Sequence, residues 1–326
     1  MNNVYKHKVA IIGLGGIGLH YDINTNSNEA ITTHSKAFSL HNDFLLEFAV
    51  DTNHRNRYLF ESRYRLPAYH SFSSALNFHT PNVVVIATPT ASHLSIVSEV
   101  ARFPSVKCIL CEKPMGVNFQ QASEIARVCH ANNIKLYVNY IRRCDPSALE
   151  VHALLTTVLS SPLKGFCWYS KGLFVNGSHL INLLQYWLGS YTKLSCIQFG
   201  SPCTPDDISA DFRLSFGSGD IIFQHIPEQY FSHYAIELML PNGRLRYDEG
   251  GFHVSFNKPT CDPVFPGYRI LGREPHSIYN DLHRSQFNTV SELANALTGT
   301  VSNICTGHDA LRTMRILEDI RTQSCI

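Results

Sequence analysis

The chain has 326 residues, 44% of them apolar, with 27 Lys plus Arg against 26 Asp plus Glu and a formal net charge of +1. That length and apolar fraction support two domains with full cores. The near-zero charge excludes the broad basic field of a nucleic-acid binder and the polybasic signal of a membrane-surface protein.

Residues 1–8 are polar and run straight into a strand, and no apolar run approaches the ~18 residues of a membrane span. The expectation is a cytoplasmic protein with a small-molecule partner, no nucleic acid and no membrane. Residues 9–12 form a β-branched run that ends at Gly13 and opens Gly13-Leu14-Gly15-Gly16-Ile17-Gly18, with a helix expected from Ile17. A G-x-G-x-x-G turn between strand and helix cradles a pyrophosphate: one glycine bends the chain, one lets backbone N–H groups approach, and one admits close helix packing. Residues 22–34 are polar and read as an inserted loop. They explain why Asp51, at the end of a second strand over 45–50, lies further than about 20 residues from the last glycine. Asp51 is the candidate for the adenine ribose hydroxyls and would repel a 2′-phosphate, whereas Arg55 and Arg57 would attract one; NAD is favoured over NADP. A turn-capping aspartate is the structural alternative.

Residues 82–87 read as a third strand, apolar from Val83 onward, as in a parallel strand buried on both faces. They lead into Thr88, Pro89 and His93, which would lie over the same crevice, with His93 either touching cofactor or serving only at a helix start. The strand over 107–111 ends at Glu112-Lys113-Pro114. A lysine there can donate to a substrate oxygen as charge develops on it, and desolvation would lower its pKa toward neutrality. Glu112 would orient Lys113, touch cofactor, or form a plain salt bridge. Cys108 and Cys111 make a C-x-x-C, but strand alternation sends them to opposite faces and no second pair completes a zinc site, so no metal is expected. The helix over 118–130 takes Asn118 as its cap, and the strand over 135–140 continues the series. Strands alternating with helices predict a doubly wound parallel sheet over 1–140.

Over 141–326 the pattern changes. Pro146 opens a helix running to about 159, and short strands follow. The runs 212–216 with 221–225 and 235–240 with 244–247 read as hairpins, Asn242-Gly243 supplying the positive φ angles of a primed turn. This predicts an α+β domain with a mostly antiparallel open sheet. Leu180, Leu183, Leu184 and Trp187 form a helix stripe ending at Gly189, with Ser178 as N-cap and His179 in the first turn. There the helix dipole disfavours the imidazolium and leaves a neutral proton acceptor. Residues 259–272 read as a loop or lid, and 285–297 and 308–321 as closing amphipathic helices.

The Gly-rich turn, Ala87-Thr88-Pro89, Glu112-Lys113-Pro114 and the helix-start His179 occur in the order found in the glucose-fructose oxidoreductase and inositol dehydrogenase family (Gfo/Idh/MocA), which the chain resembles over nearly its whole length. The resemblance implies a Rossmann domain at 1–140. It also implies a substrate-binding and oligomerisation domain at 141–326, whose last helix packs back on the first, and a homodimer or homotetramer. It places the catalytic lysine on Lys113 and the catalytic histidine on His179. It further implies Gly13, Gly15, Gly16, Ile17, Gly18, Asp51, Thr88, Pro89, His93, Glu112 and Lys113 around NAD, and Asn139, Arg142, Arg143, Asn176 and His179 around substrate. Many members carry an aspartate four residues before the histidine, where this chain has Val175, which shifts the proton chemistry toward Lys113. The Asn-Gly-Ser-His variant and Tyr21-Asp22 are similar to members of bacterial surface-sugar pathways. The activity implied is hydride transfer to or from a secondary alcohol of a sugar, cyclitol or nucleotide sugar; the alternative is a dinucleotide-binding regulator without turnover.

Overall fold

The computed structural model describes residues 7–25, 27–158, 162–204 and 207–323, with the side chains of 199–204 excepted. The polar residues 1–6 and the end of the helix expected to reach 159 lie outside these. The chain divides into two compact units, Met1–Cys144 with His283–Met314 and Asp145–Leu282 with Arg315–Ile326.

The first unit is built on strands β1 (His7–Ile12), β2 (Phe44–Val50), β3 (Ala68–Tyr69), β4 (Val83–Ile86), β5 (Cys108–Cys111) and β6 (Lys135–Val138). In space they run β6-β5-β4-β1-β2-β3, all parallel, and Cys305–Thr306 adds an antiparallel edge to β6. Every residue of β4 and β5 is buried, which is why these strands read as unbroken apolar runs. The sheet register sets Ile12 level with Val50 and Ile86, and Ile86 level with Cys111. Gly13, Asp51, Ala87 and Glu112, the next residue of each strand, therefore emerge along one edge, at the carboxyl ends where α/β proteins place their sites.

Helices α1 (His34–Leu40), α2 (His54–Tyr64), α3 (Phe72–Ala75), α4 (His93–Val100) and α5 (Phe119–Ala131) connect these strands. Asn118 Oδ1 accepts from Gln121 N at 2.8 Å and caps α5. The helix expected from Ile17 is different: Gly16–His20 makes a single wide turn, and the helix proper resumes only at His34. The inserted residues interrupt it because the Asp22 carboxylate takes the backbone N–H groups of Thr32 and Thr33 and closes the loop.

The second unit contains α6 (Pro146–Thr156), β7 (Leu163–Tyr169), α7 (Ser178–Leu188), β8 (Tyr191–Thr204), β9 (Asp207–Phe216), β10 (Gly219–His225), β11 (Ala235–Leu240), β12 (Gly243–Asp248), β13 (His253–Asn257), β14 (Pro259–Cys261), β15 (Arg269–Leu271) and β16 (His276–Ile278). Eight strands form one sheet in the order β16-β13-β12-β11-β7-β10-β9-β8, antiparallel except for β7 beside β10. Alternate residues of β9 are buried, as one covered face requires. Two expectations change. The stretch expected to be a loop holds the hairpin β14-β15. In the β11-β12 turn Gly243 alone has positive φ, +148, and Asn242 does not, so the turn is not primed. The glycine is needed because a Cβ there would lie 2.2 Å from Asn257 O on β13. Finally α8 (Ser285–Thr298) belongs to the first unit, and α9 (Gly307–Gln323) contributes to both.

Candidate active site

The glycine turn has the shape a phosphate cradle requires. Gly13 adopts φ +101, and a Cβ on it would lie 2.5 Å from Ala87 O, whereas a Cβ on Gly15 would meet nothing within 4 Å. The first position is closed to side chains by the neighbouring strand, and the second faces open space where a ligand backbone fits. Gly16 and Ile17 stand at the head of the wide turn, and Gly18 is buried against Gly13. A cavity of about 410 Å³ opens beside them, lined among others by Gly13, Gly15, Asp51, Thr88 and Pro89. The residues present thus fit a dinucleotide.

Asp51 is held from three sides. Its Oδ2 accepts from Leu14 N at 2.7 Å and from Asn56 Nδ2 at 3.2 Å, and its Oδ1 accepts from Asn53 N at 2.7 Å. His20 Nε2 lies 3.0 Å from Asn56 Oδ1 and continues the chain. Arg57 is turned back, its Nη1 donating to the carbonyls of Asp51 and Thr52 at 2.8 and 3.0 Å. One nitrogen of its fork is engaged at the strand end, and Arg55 is the more exposed cation of the pair.

His93 is fully buried. Its Nε2 donates to Thr88 O at 2.9 Å, and its Nδ1 lies 3.4 Å from Cys111 Sγ and 3.2 Å from Met115 O. The ring ties the β4 and β5 ends together and presents Thr88, whose Oγ1 receives Ser92 Oγ at 2.8 Å. Burial pushes the Cys108 and Cys111 thiols well up, so neither is a nucleophile at neutral pH.

Lys113 follows β5 with a cis peptide to Pro114. Beside it, Glu112 Oε1 receives His34 Nε2 at 2.7 Å and Asn139 Nδ2 at 2.5 Å, and Oε2 receives Lys113 N at 3.3 Å. Burial pulls the Glu112 carboxyl upward, but the His34 hydrogen bond and charge, the Asn139 amide and the Lys113 ammonium together outweigh it and hold it below its usual range. Asn139 Nδ2 also reaches Gln286 Oε1 at 3.2 Å. Arg143 Nη2 is paired with Asp309 Oδ2 at 2.9 Å, at the start of α9. Arg142 is buried.

In the second unit the helix carrying His179 starts earlier than Ser178. Residues Leu173–Gly177 form a wide helical turn that runs into α7, and Gly177 is itself helical at φ −55, ψ −39. Ser178 is not the cap; its Oγ donates back to Phe174 O at 2.7 Å. The cap is Asp207, whose carboxylate accepts from Phe174 N at 2.9 Å and Val175 N at 3.1 Å. Burial raises the Asp207 carboxyl, and the backbone N–H groups oppose this only in part. Asp207 supplies an acidic group at the helix start through tertiary contact. His179 and Asn176 are both buried, and Asn176 Nδ2 has no hydrogen-bond partner among the described residues.

The residues that sequence reasoning missed are His34, Gln286 and Asp207. Their partners lie 78, 147 and 33 residues away, and no local spacing marks them.

Residues 7–140 match the model of the oxidoreductase family with an NAD-binding Rossmann fold. Over 264 residues the chain is 24% identical to an uncharacterized oxidoreductase of Bacillus subtilis, YrbE, covering 73% of this chain and 75% of that one. Its fold is similar to the WlbA dehydrogenase of Bordetella pertussis, solved with NADH and UDP-GlcNAcA, at a TM-score of 0.75, 16% identity and coverage of 99% and 96%. It is also similar to a super-repressor mutant of Gal80p from Saccharomyces cerevisiae, at 0.80, 15% identity and coverage of 98% and 96%. At such identities the structures speak to fold alone. The family match covers residues 7–140, the part of the chain that carries the NAD-binding Rossmann fold.

Proposed function

We propose that the protein is an NAD-dependent oxidoreductase that moves a hydride to or from a secondary alcohol carbon of a sugar, cyclitol or nucleotide sugar. The observation that carries this reading is the placement of Lys113 at the carboxyl end of β5, beside a held Glu112 carboxylate and on the same sheet edge as the glycine cradle. Nicotinamide, when bound, would supply or accept the hydride. Lys113 donates a hydrogen bond to the alcohol oxygen as negative charge grows on it, which lowers the barrier by charge stabilisation. His179 exchanges the hydroxyl proton, a role that needs a neutral ring in one direction and a protonated ring in the other. Asn139 and Asn176 each keep a buried polar atom without a partner among the described residues, Oδ1 and Nδ2 respectively. A hydroxyl can pair with an atom of either kind, and buried polar groups select strongly for ligands that pair with them. Arg142 remains in the proposal as a substrate contact.

NAD is favoured over NADP because Asp51 is fixed where the adenine ribose would bind and Arg57 is tied to backbone carbonyls. Cytoplasm is the proposed compartment, where reducing conditions preserve free buried thiols; homodimer or homotetramer is the proposed assembly, and bacterial surface-polysaccharide synthesis the proposed setting.

A second reading, a dinucleotide-responsive regulator without turnover, is favoured by Val175 in place of the family carboxylate and by the likeness to Gal80p. Turnover with NAD and NADP against free sugars, cyclitols and nucleotide sugars separates the two. The oxidoreductase reading expects reduction of NAD by at least one substrate, with NADP poorer. Tight NAD binding with no turnover across the panel would favour the regulator.

A further inference from the structure

The inserted residues between the glycine turn and α1 are a built structure. Lys36 is buried, and its Nζ donates to the carbonyls of Thr25, Ser27 and Ala30 at 3.2, 2.7 and 2.8 Å, using all three protons of the ammonium. Asp22 is buried too. Its Oδ2 takes Thr32 N and Thr33 N at 2.7 and 3.0 Å, and its Oδ1 takes Thr33 Oγ1 at 2.6 Å. Ser35 Oγ donates to Gly18 O at 2.6 Å, and Ile31 bonds through its backbone to His283 and Gln286. The buried polar groups of the loop are thus paired, and the pairs fix its path against α1.

What the loop delivers is His34. The ring is fully buried at the start of α1, stacked 6.5 Å from Phe38, with Nε2 on Glu112 Oε1. Because a carboxylate only accepts, Nε2 must be the donor. His34 and Asn139 thus both load one oxygen of Glu112, which leaves Oε2 turned to Lys113 N. The titratable groups acting on Glu112 are His34 from α1 and Lys113 from its own segment.

We propose that the insert is a brace for the proton-handling lysine, and that His34 is a positioning residue acting on Lys113 through Glu112. With His34 in place the carboxylate is saturated on one side and cannot swing fully onto the Lys113 ammonium. Without it, the charge left acting on the carboxylate is that of Lys113. The role in turnover rests on the oxidoreductase reading, but the coupling itself does not.

The test is the rate of acetic anhydride labelling of Lys113 against pH, followed by mass spectrometry in the full chain. It needs no substrate, so it stands even if no turnover is found. In His34→Leu the labelling midpoint should rise by about half a unit, and labelling below it should slow by about threefold. His34→Gln, whose amide still donates toward Glu112, should restore most of the wild-type curve. Lys36→Met, which cuts the loop's central anchor, should move the curve in the same direction as His34→Leu. An unmoved curve in His34→Leu overturns the proposal, as does failure of His34→Gln to restore it. If His34→Leu is poorly folded, an unmoved curve in Lys36→Met overturns it equally. Where a substrate has been found, kcat should fall in His34→Leu with NAD affinity preserved.

Discussion

At the scale of single residues, the best-defined group is Glu112. Two side chains from distant parts of the sequence donate to one of its oxygens, and the result is a carboxyl held below its ordinary value despite burial. Its sign in stability follows from linkage. A group whose folded pKa is depressed adds stability above its unfolded value and loses it as pH falls through the folded one. Glu112→Gln should therefore flatten the acid limb of the stability curve below the ordinary value of 4.5. Urea titrations at a series of pH values would measure this, and an acid limb as steep as wild type would contradict the assignment. Lys113 and the glycines were legible in the sequence because their signal is local, a lysine before proline and glycines at fixed spacing. His34 was not, since its meaning comes from a partner on another strand end. Arg143 and His93 show the converse. Each stands at a legible position, and the structure adds the Asp309 partner of Arg143 and the Thr88 carbonyl partner of His93.

At the scale of elements, periodicity located most strands and helices to within a few residues, because burial on one or both faces writes itself into the pattern. Boundaries set by tertiary contacts were not readable. The helix carrying His179 starts at Leu173 because Asp207, on β9, caps it. The helix after the glycine turn is split because Asp22 and Lys36 close a loop inside it. The apolar stripe of α7, by contrast, was plain, and its anchor is Trp187. That ring is buried, meets Tyr247 edge-on at 5.7 Å and donates Nε1–H to Ala148 O at 3.0 Å. Trp187→Ala should cost about 3–5 kcal/mol through lost burial and a residual cavity, read from the denaturation midpoint at unchanged slope. A loss below about 1 kcal/mol would mean the site collapses around the gap or that the helix is packed otherwise.

At the scale of the whole molecule, alternation of strand and helix foretold the parallel sheet of the first unit, and hairpin signals foretold the mostly antiparallel sheet of the second. The parallel pairing of β7 with β10 and the return of the chain to the first unit at His283 were hidden. Both depend on which distant segments meet, and sequence spacing does not record that. The proposed function rests on the first unit's sheet edge, where β1, β2, β4 and β5 end together. In the proposed mechanism Lys113 stabilises the reacting oxygen while the glycine turn and Asp51 hold the cofactor, so binding and chemistry should separate in one variant. The decisive measurement is NAD affinity and kcat of Lys113→Ala beside wild type on the same alcohol. The expected result is NAD binding within about threefold and kcat lower by about a hundredfold or more. Retention of most of kcat with binding intact would contradict the account.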